Sequence, residues 1–107
     1  MPTRILTTHT GSLPRPRDLV AMLQQREEGR PPADAVLHAR VRAAVLDAVR
    51  KQTETGLSII DDGEQGRADY TVFAGRVQVD TNIVWHKLRS LVEGARLASQ
   101  ALWPAGA

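Results

Sequence analysis

The chain contains no cysteine. Disulfide stapling is therefore excluded, and so is any zinc site built on its own thiolates. Aromatic residues occupy only 4% of its 107 positions, so the core must be built from Leu, Val, Ile and Ala. No run of eighteen or more apolar residues occurs, which leaves no membrane-spanning stretch and no expected membrane partner. The opening Met1-Pro2-Thr3-Arg4 is not followed by the apolar stretch of a signal peptide. A soluble cytoplasmic protein is the expectation. Charge of one sign is also lacking: 14 Lys and Arg stand against 12 Asp and Glu. They are interspersed, with no basic stripe, so no nucleic-acid partner is expected.

What is present is ordinary globular material. The apolar fraction is 42% and the charged fraction 24%, enough for a core and against wholesale disorder. The length allows one small domain at most.

Residues 4–8 read as a short strand, with Ile5 and Leu6 followed by Thr7 and Thr8. A loop with a fixed course follows over Gly11-Ser12-Leu13-Pro14-Arg15-Pro16. A first helix is predicted over about 18–29, with Asp18 as its cap and Leu19, Val20 and Leu23 buried. A second runs over about 33–55, where Leu37, Val41, Ala44, Val45, Ala48 and Val49 repeat at steps of three and four. Gly56 sits where a left-handed C-terminal cap belongs. Residues 57–61 read as a second short strand, parallel to the first. A third helix is predicted over about 81–103, with a seam at Val84, Leu88, Leu91, Ala95, Ala98 and Leu102. Gly94 within it suggests close approach of a neighbour. The expected class is α/β and helix-rich.

Two polar loops each follow a predicted strand, and in α/β folds ligands sit beyond the carboxyl ends of strands. In the first, Thr7-Thr8-His9-Thr10-Gly11-Ser12, two readings fit. Backbone amides beside a hydroxyl suit a carboxylate or carbonyl ligand; equally, Ser12 could serve only its own turn. His9 alone reads more simply as structural. In the second, Asp61-Asp62-Gly63-Glu64-Gln65-Gly66-Arg67, Glu64 could hold an ammonium group. The alternative is a solvated acidic turn with Arg67 as its surface partner. The acids lack the spacing of a calcium loop. His38 and His86 have no second histidine at i+4, so this chain supplies no expected metal site.

The stretch from Ile5 to Pro16 resembles the opening of the catalytic barrel in the cobalamin-independent methionine synthase family. The stretch Lys51-Gln52-Thr53-Glu54-Thr55-Gly56-Leu57-Ser58-Ile59-Ile60-Asp61-Asp62-Gly63-Glu64 is similar to the same family's second strand and its loop. Gly75-Arg76-Val77 followed by Ile83 to Ser99 resembles the family's C-terminal helix. The resemblance implies an incomplete fragment of a (β/α)8 barrel, which typically needs ~250 residues. It implies one partial-barrel domain over 1–107: residues 1–69 resemble the barrel start and 75–103 its last helix, with the join near Tyr70 to Gly75.

The resemblance also implies a chemistry. Family members bind a thiol amino acid, often homocysteine, through the loop matching His9, Thr10, Gly11 and Ser12, and the acid matching Glu64 holds its amino group. Zinc makes the thiol a thiolate at neutral pH, which takes a methyl group from a methylated folate or another donor. The family's zinc ligands lie on later strands that nothing here matches. Zinc is therefore not expected to bind this chain alone, and no residue here is expected to be catalytic. Three functional readings follow. One is a fragment of a zinc-dependent S-methyltransferase, inactive alone or borrowing the missing barrel from another chain. The second is a non-catalytic helical module or pseudoenzyme that self-associates or binds a full-length relative through exposed apolar surface. The third is a reading frame with no selected function.

Overall fold

The computed structural model describes residues 3–67 and 81–104. The expected join near Tyr70 to Gly75 lies outside them. Among the described residues the regular elements are three helices: α1 (Arg17–Glu27), α2 (Asp34–Thr55) and α3 (Thr81–Leu102).

Pro16 sets the start of α1, its φ of −57° already suited to the helix. Asp18 is not the cap. It lies in the first turn, where a negative charge opposes the positive end of the helix dipole. From there it accepts two hydrogen bonds from Arg40 of α2. That guanidinium holds the Asp18 carboxyl below its usual range, against the upward pull of desolvation. Helix α2 ends as its sequence predicts. Gly56 takes a left-handed φ of +96°, and its N–H donates to the carbonyls of Gln52 and Thr53. A side chain there would also press on α3, because a Cβ would stand 3.2 Å from Val92 Cγ1.

Two apolar clusters are strung along α2. Its first half packs Leu37 and Ala44 against Leu19 and Leu23 of α1, both wholly buried. Its second half packs Ala48 against Leu13, Leu57, Trp85 and Leu88. Each large aliphatic side chain so buried contributes about 1.5–3 kcal/mol. The expected α3 seam holds at Val84 and Leu88, which pack on the core, and is joined there by Trp85 and Val92. Leu91, by contrast, is 47% and Leu102 63% exposed. Among the described residues, a Cβ at Gly94 would meet nothing within 4 Å, so no close approach within them explains this glycine.

The expected pair of parallel strands, and with it the α/β barrel fragment, is not what forms. Among the described residues there is no strand; a single parallel bridge joins Thr8 and Ile59. The physical reason lies in where the amide protons go. The N–H groups of both Ser58 and Ile59 converge on the one carbonyl of Thr7, at 2.9 and 3.1 Å. The Thr7 N–H donates to the Ser58 hydroxyl at 3.0 Å, and the Ile5 N–H to the Ser99 hydroxyl of α3 at 2.8 Å. Serine oxygens thus take protons that a ladder would give to carbonyls. Leu6, Ile59 and Ile60 are exposed.

Candidate functional site

The two polar loops do meet, at the end of this bridge. The Leu13 N–H donates to the Gly63 carbonyl at 2.9 Å, tying together residues far apart in sequence. Gly63 is required twice over: its φ is +66°, and a Cβ would lie 3.1 Å from both Cβ and Cδ1 of Leu13. Gly11, at φ +97°, has no neighbour within 4 Å of a Cβ among the described residues, so of these two constraints its backbone conformation is the one that demands glycine.

Ser12 and Glu64 are brought together. The Ser12 hydroxyl donates to Glu64 Oε2 at 2.9 Å. Glu64 has a φ of +53°, the one non-glycine residue with positive φ among the described residues. Such a conformation is uncommon outside glycine and is held only by its surroundings. Here the holders are carboxylates: Asp62 Oδ1 accepts from the Glu64 N–H at 2.9 Å, and Asp61 Oδ1 from the Gly63 N–H at 2.8 Å. Arg67 also reaches Glu64, its Nη1 3.5 Å from Oε1, as the acidic-turn reading expects. Each carboxylate oxygen has two lone pairs, so Glu64 retains capacity for an ammonium group. His9 Nε2 lies 3.3 Å from the Ser12 carbonyl oxygen and braces its own turn. Thr10 is exposed and, among the described residues, makes no hydrogen bond to the second loop.

Three polar residues that the sequence does not single out hold this arrangement. Arg15 is 6% exposed; its Nη2 donates to the Glu64 carbonyl at 2.6 Å and its Nε to the Gln65 carbonyl at 3.3 Å. Gln65 is buried and donates from Nε2 towards the carbonyls of Leu13, Pro14 and Gly63. Gln52 of α2, fully buried, clamps Asp61: its Nε2 donates to the Asp61 carbonyl at 2.7 Å, and its Oε1 accepts from the Asp61 N–H at 3.1 Å. The sequence holds one signal for this residue. Gln52 falls four residues after Ala48, on the buried face of α2.

No group of three His, Asp or Glu side chains among the described residues is placed to hold a metal ion. The carboxylates of Asp61, Asp62 and Glu64 are directed to Gly63 N, Glu64 N and Ser12 Oγ instead. These residues do not fit a zinc centre.

Comparison with known proteins follows the same line. The chain is 38% identical over 73 residues to a methionine synthase of Thermococcus kodakarensis, covering 68% of this chain and 20% of that protein. It is 36% identical over 73 residues to a methionine synthase of Pyrococcus furiosus, with the same coverage. The chain is similar to methionine synthases. It spans about a fifth of the length of these curated relatives. No protein-family profile and no solved structure matches it. Among the described residues no helix is long and apolar enough to cross a membrane.

Proposed function

We propose that this chain is a methionine-synthase-like piece whose two joined loops hold a thiol amino acid such as homocysteine. Glu64 receives the amino group, with Ser12 beside it; His9, Thr10 and Gly11 shape the rim. The observation that carries the reading is the 2.9 Å hydrogen bond between Ser12 and Glu64. It places a hydroxyl and a carboxylate from two distant loops at one point. An ammonium group arriving there would share a carboxylate that is already fixed, so little side-chain entropy remains to be lost. In this reading, methyl transfer itself, and the methylated folate or other donor it uses, belong to the longer relatives, of whose length this chain spans about a fifth. Residues 1–69 correspond in this reading to the start of the family's catalytic domain and 75–103 to its C-terminal helix.

The test is calorimetric titration of the chain with homocysteine. Glu64→Gln should weaken binding by about tenfold or more, the loss of one charge-assisted hydrogen bond, while helical circular dichroism stays unchanged. Equal affinity in the variant removes Glu64 from the site.

A second reading, a non-catalytic association module, is favoured by one observation. Leu91, Leu97 and Leu102 of α3 are each close to half exposed or more. Such side chains drive association when they lie together. Sedimentation of the purified chain separates the readings: a monomer that binds homocysteine supports the first, and an oligomer that binds none supports the second.

A further inference from the structure

The loop that carries Glu64 continues to Gly66, where it meets the junction of α1 and α2. A Cβ at Gly66 would lie 3.2 Å from Val41 Cγ1, and Arg26 of α1 donates from Nη2 to the Gly66 carbonyl at 3.3 Å. Beside this junction is a cavity of about 630 Å³, lined among others by Arg26, Leu37, His38, Val41 and Arg42. Its apolar wall is aliphatic. Its charged and titratable groups are two guanidinium groups and an imidazole, and no carboxylate lines it among the described residues. The acid beside Arg26 is Glu27, with Oε1 3.8 Å from Arg26 Nε.

The arginines of α2 are not treated alike. Arg40 is paired with Asp18, and Arg50 with Asp47 and Glu54. Arg42 makes no hydrogen bond or ion pair among the described residues, and neither does His38. These two stand at i and i+4, on one face of the helix. Two unpaired nitrogen donors on one face, the Arg26 guanidinium across the groove and an apolar wall form a set that an anion with an apolar body would complete.

We infer that this groove binds a small organic phosphate. The phosphoryl group takes N–H donors from Arg26, His38 and Arg42, and the organic part lies on Leu37 and Val41. Phosphate suits the donor set better than carboxylate does. It offers three acceptor oxygens and a second negative charge to three donor side chains, two of them planar forks. The volume lies within the range of about 300–1,000 Å³ usual for small-molecule sites. The inference stands apart from the Ser12–Glu64 reading and survives its failure.

The experiment is an amide chemical-shift titration of the whole chain with phenyl phosphate, with benzoate and inorganic phosphate as comparators. Saturable shifts should centre on residues 37–42 and on Gly66. Benzoate should bind about tenfold more weakly, having lost one charge and one acceptor. Inorganic phosphate should also bind more weakly, lacking the ring. Replacing both His38→Gln and Arg42→Gln, at exposed helix positions, should lower phenyl phosphate affinity about tenfold or more. Any one of three results overturns the inference: equal affinity for benzoate, native affinity in the double variant, or shifts centred on Ser12 and Glu64. The mapping uses the native chain, so it decides even where a variant fails to fold.

Discussion

The side-chain amide of Gln65 lies 3.1 Å from the main-chain oxygen of Leu13, 52 residues away in sequence. The same nitrogen is 3.3 Å from the oxygens of Pro14 and Gly63. One buried group therefore answers carbonyls from both loops. Gln65→Leu keeps the volume but takes the amide donor from the Leu13 and Pro14 carbonyls, while the Gly63 carbonyl keeps the Leu13 N–H. It should cost about 1–3 kcal/mol, the usual penalty for buried polar groups left unpaired. Urea unfolding reads this directly; a loss under about 0.5 kcal/mol would mean that water replaces the amide without penalty.

The two left-handed glycines of the loops should respond differently. Gly11→Ala meets only the conformational cost of a side chain at positive φ, roughly 1 kcal/mol. Gly63→Ala adds the 3.1 Å encounter with Leu13, so its loss should exceed that of Gly11→Ala by at least ~1 kcal/mol, within the usual range for overpacking. Equal midpoints in denaturant would show that Leu13 yields freely.

Asp18 gives a pH dependence of known sign. Its carboxyl is held below the ordinary value by Arg40, so the pair's contribution is present above the unfolded carboxylate range. It is lost as pH falls through the lowered native value. Both side chains are partly solvated, Arg40 at 29% and Asp18 at 56% exposure, which limits the pair to about 0.2–1 kcal/mol. Arg40→Gln should lower the stability at pH 7 by that amount and flatten the loss of stability on acidification below pH ~4. High salt should shrink the difference. A variant with an unchanged acid profile would show the pair to be inert.

Trp85 separates packing from hydrogen bonding. It is buried among Leu13, Ala48 and Leu57, yet its indole N–H has no partner among the described residues. Lys51 Nζ stands 6.0 Å from the ring centre, at the edge of cation–π range. Trp85→Phe should therefore cost under ~1.5 kcal/mol, since the lost donor satisfied nothing. Trp85→Ala should cost ~3–5 kcal/mol through the cavity it leaves. Near-equal losses in thermal melts would mean that the N–H is satisfied in solution.

Apolar spacing makes the helices legible because their faces repeat at 3.6 residues whatever lies nearby. The reach of the α3 seam is less so: Val84 and Leu88 pack on the core as their spacing suggests, but Trp85 joins them through the cluster with Leu13 and Leu57, while Leu91 and Leu102 are left exposed. The strands are harder still, because β structure depends on neighbours. Ile5-Leu6 and Ser58-Ile59 have strand composition, but the hydroxyls of Ser58 and Ser99 take amide protons that a ladder would need. Ser12 and Glu64 can be singled out as polar residues beside turn glycines. Their meeting follows from parallel segments carrying their loops at the same end, and even the single Thr8–Ile59 bridge suffices for that. Arg15, Gln52 and Gln65 carry no such mark, because long polar side chains usually face water.

Gln52 gives the acidic loop a particular mechanical character. Its side-chain amide meets the main chain of Asp61 with one donor and one acceptor, as a peptide unit in an adjacent strand would. The loop is thus docked on α2 by a surrogate backbone rather than by a flexible contact. When the final turns of α2 shift, Asp61 shifts with them, and Glu64 follows three residues on. The carboxylate's aim is set by the helix beneath it, so changes far from the loop, along the α2–α3 contact, can steer it.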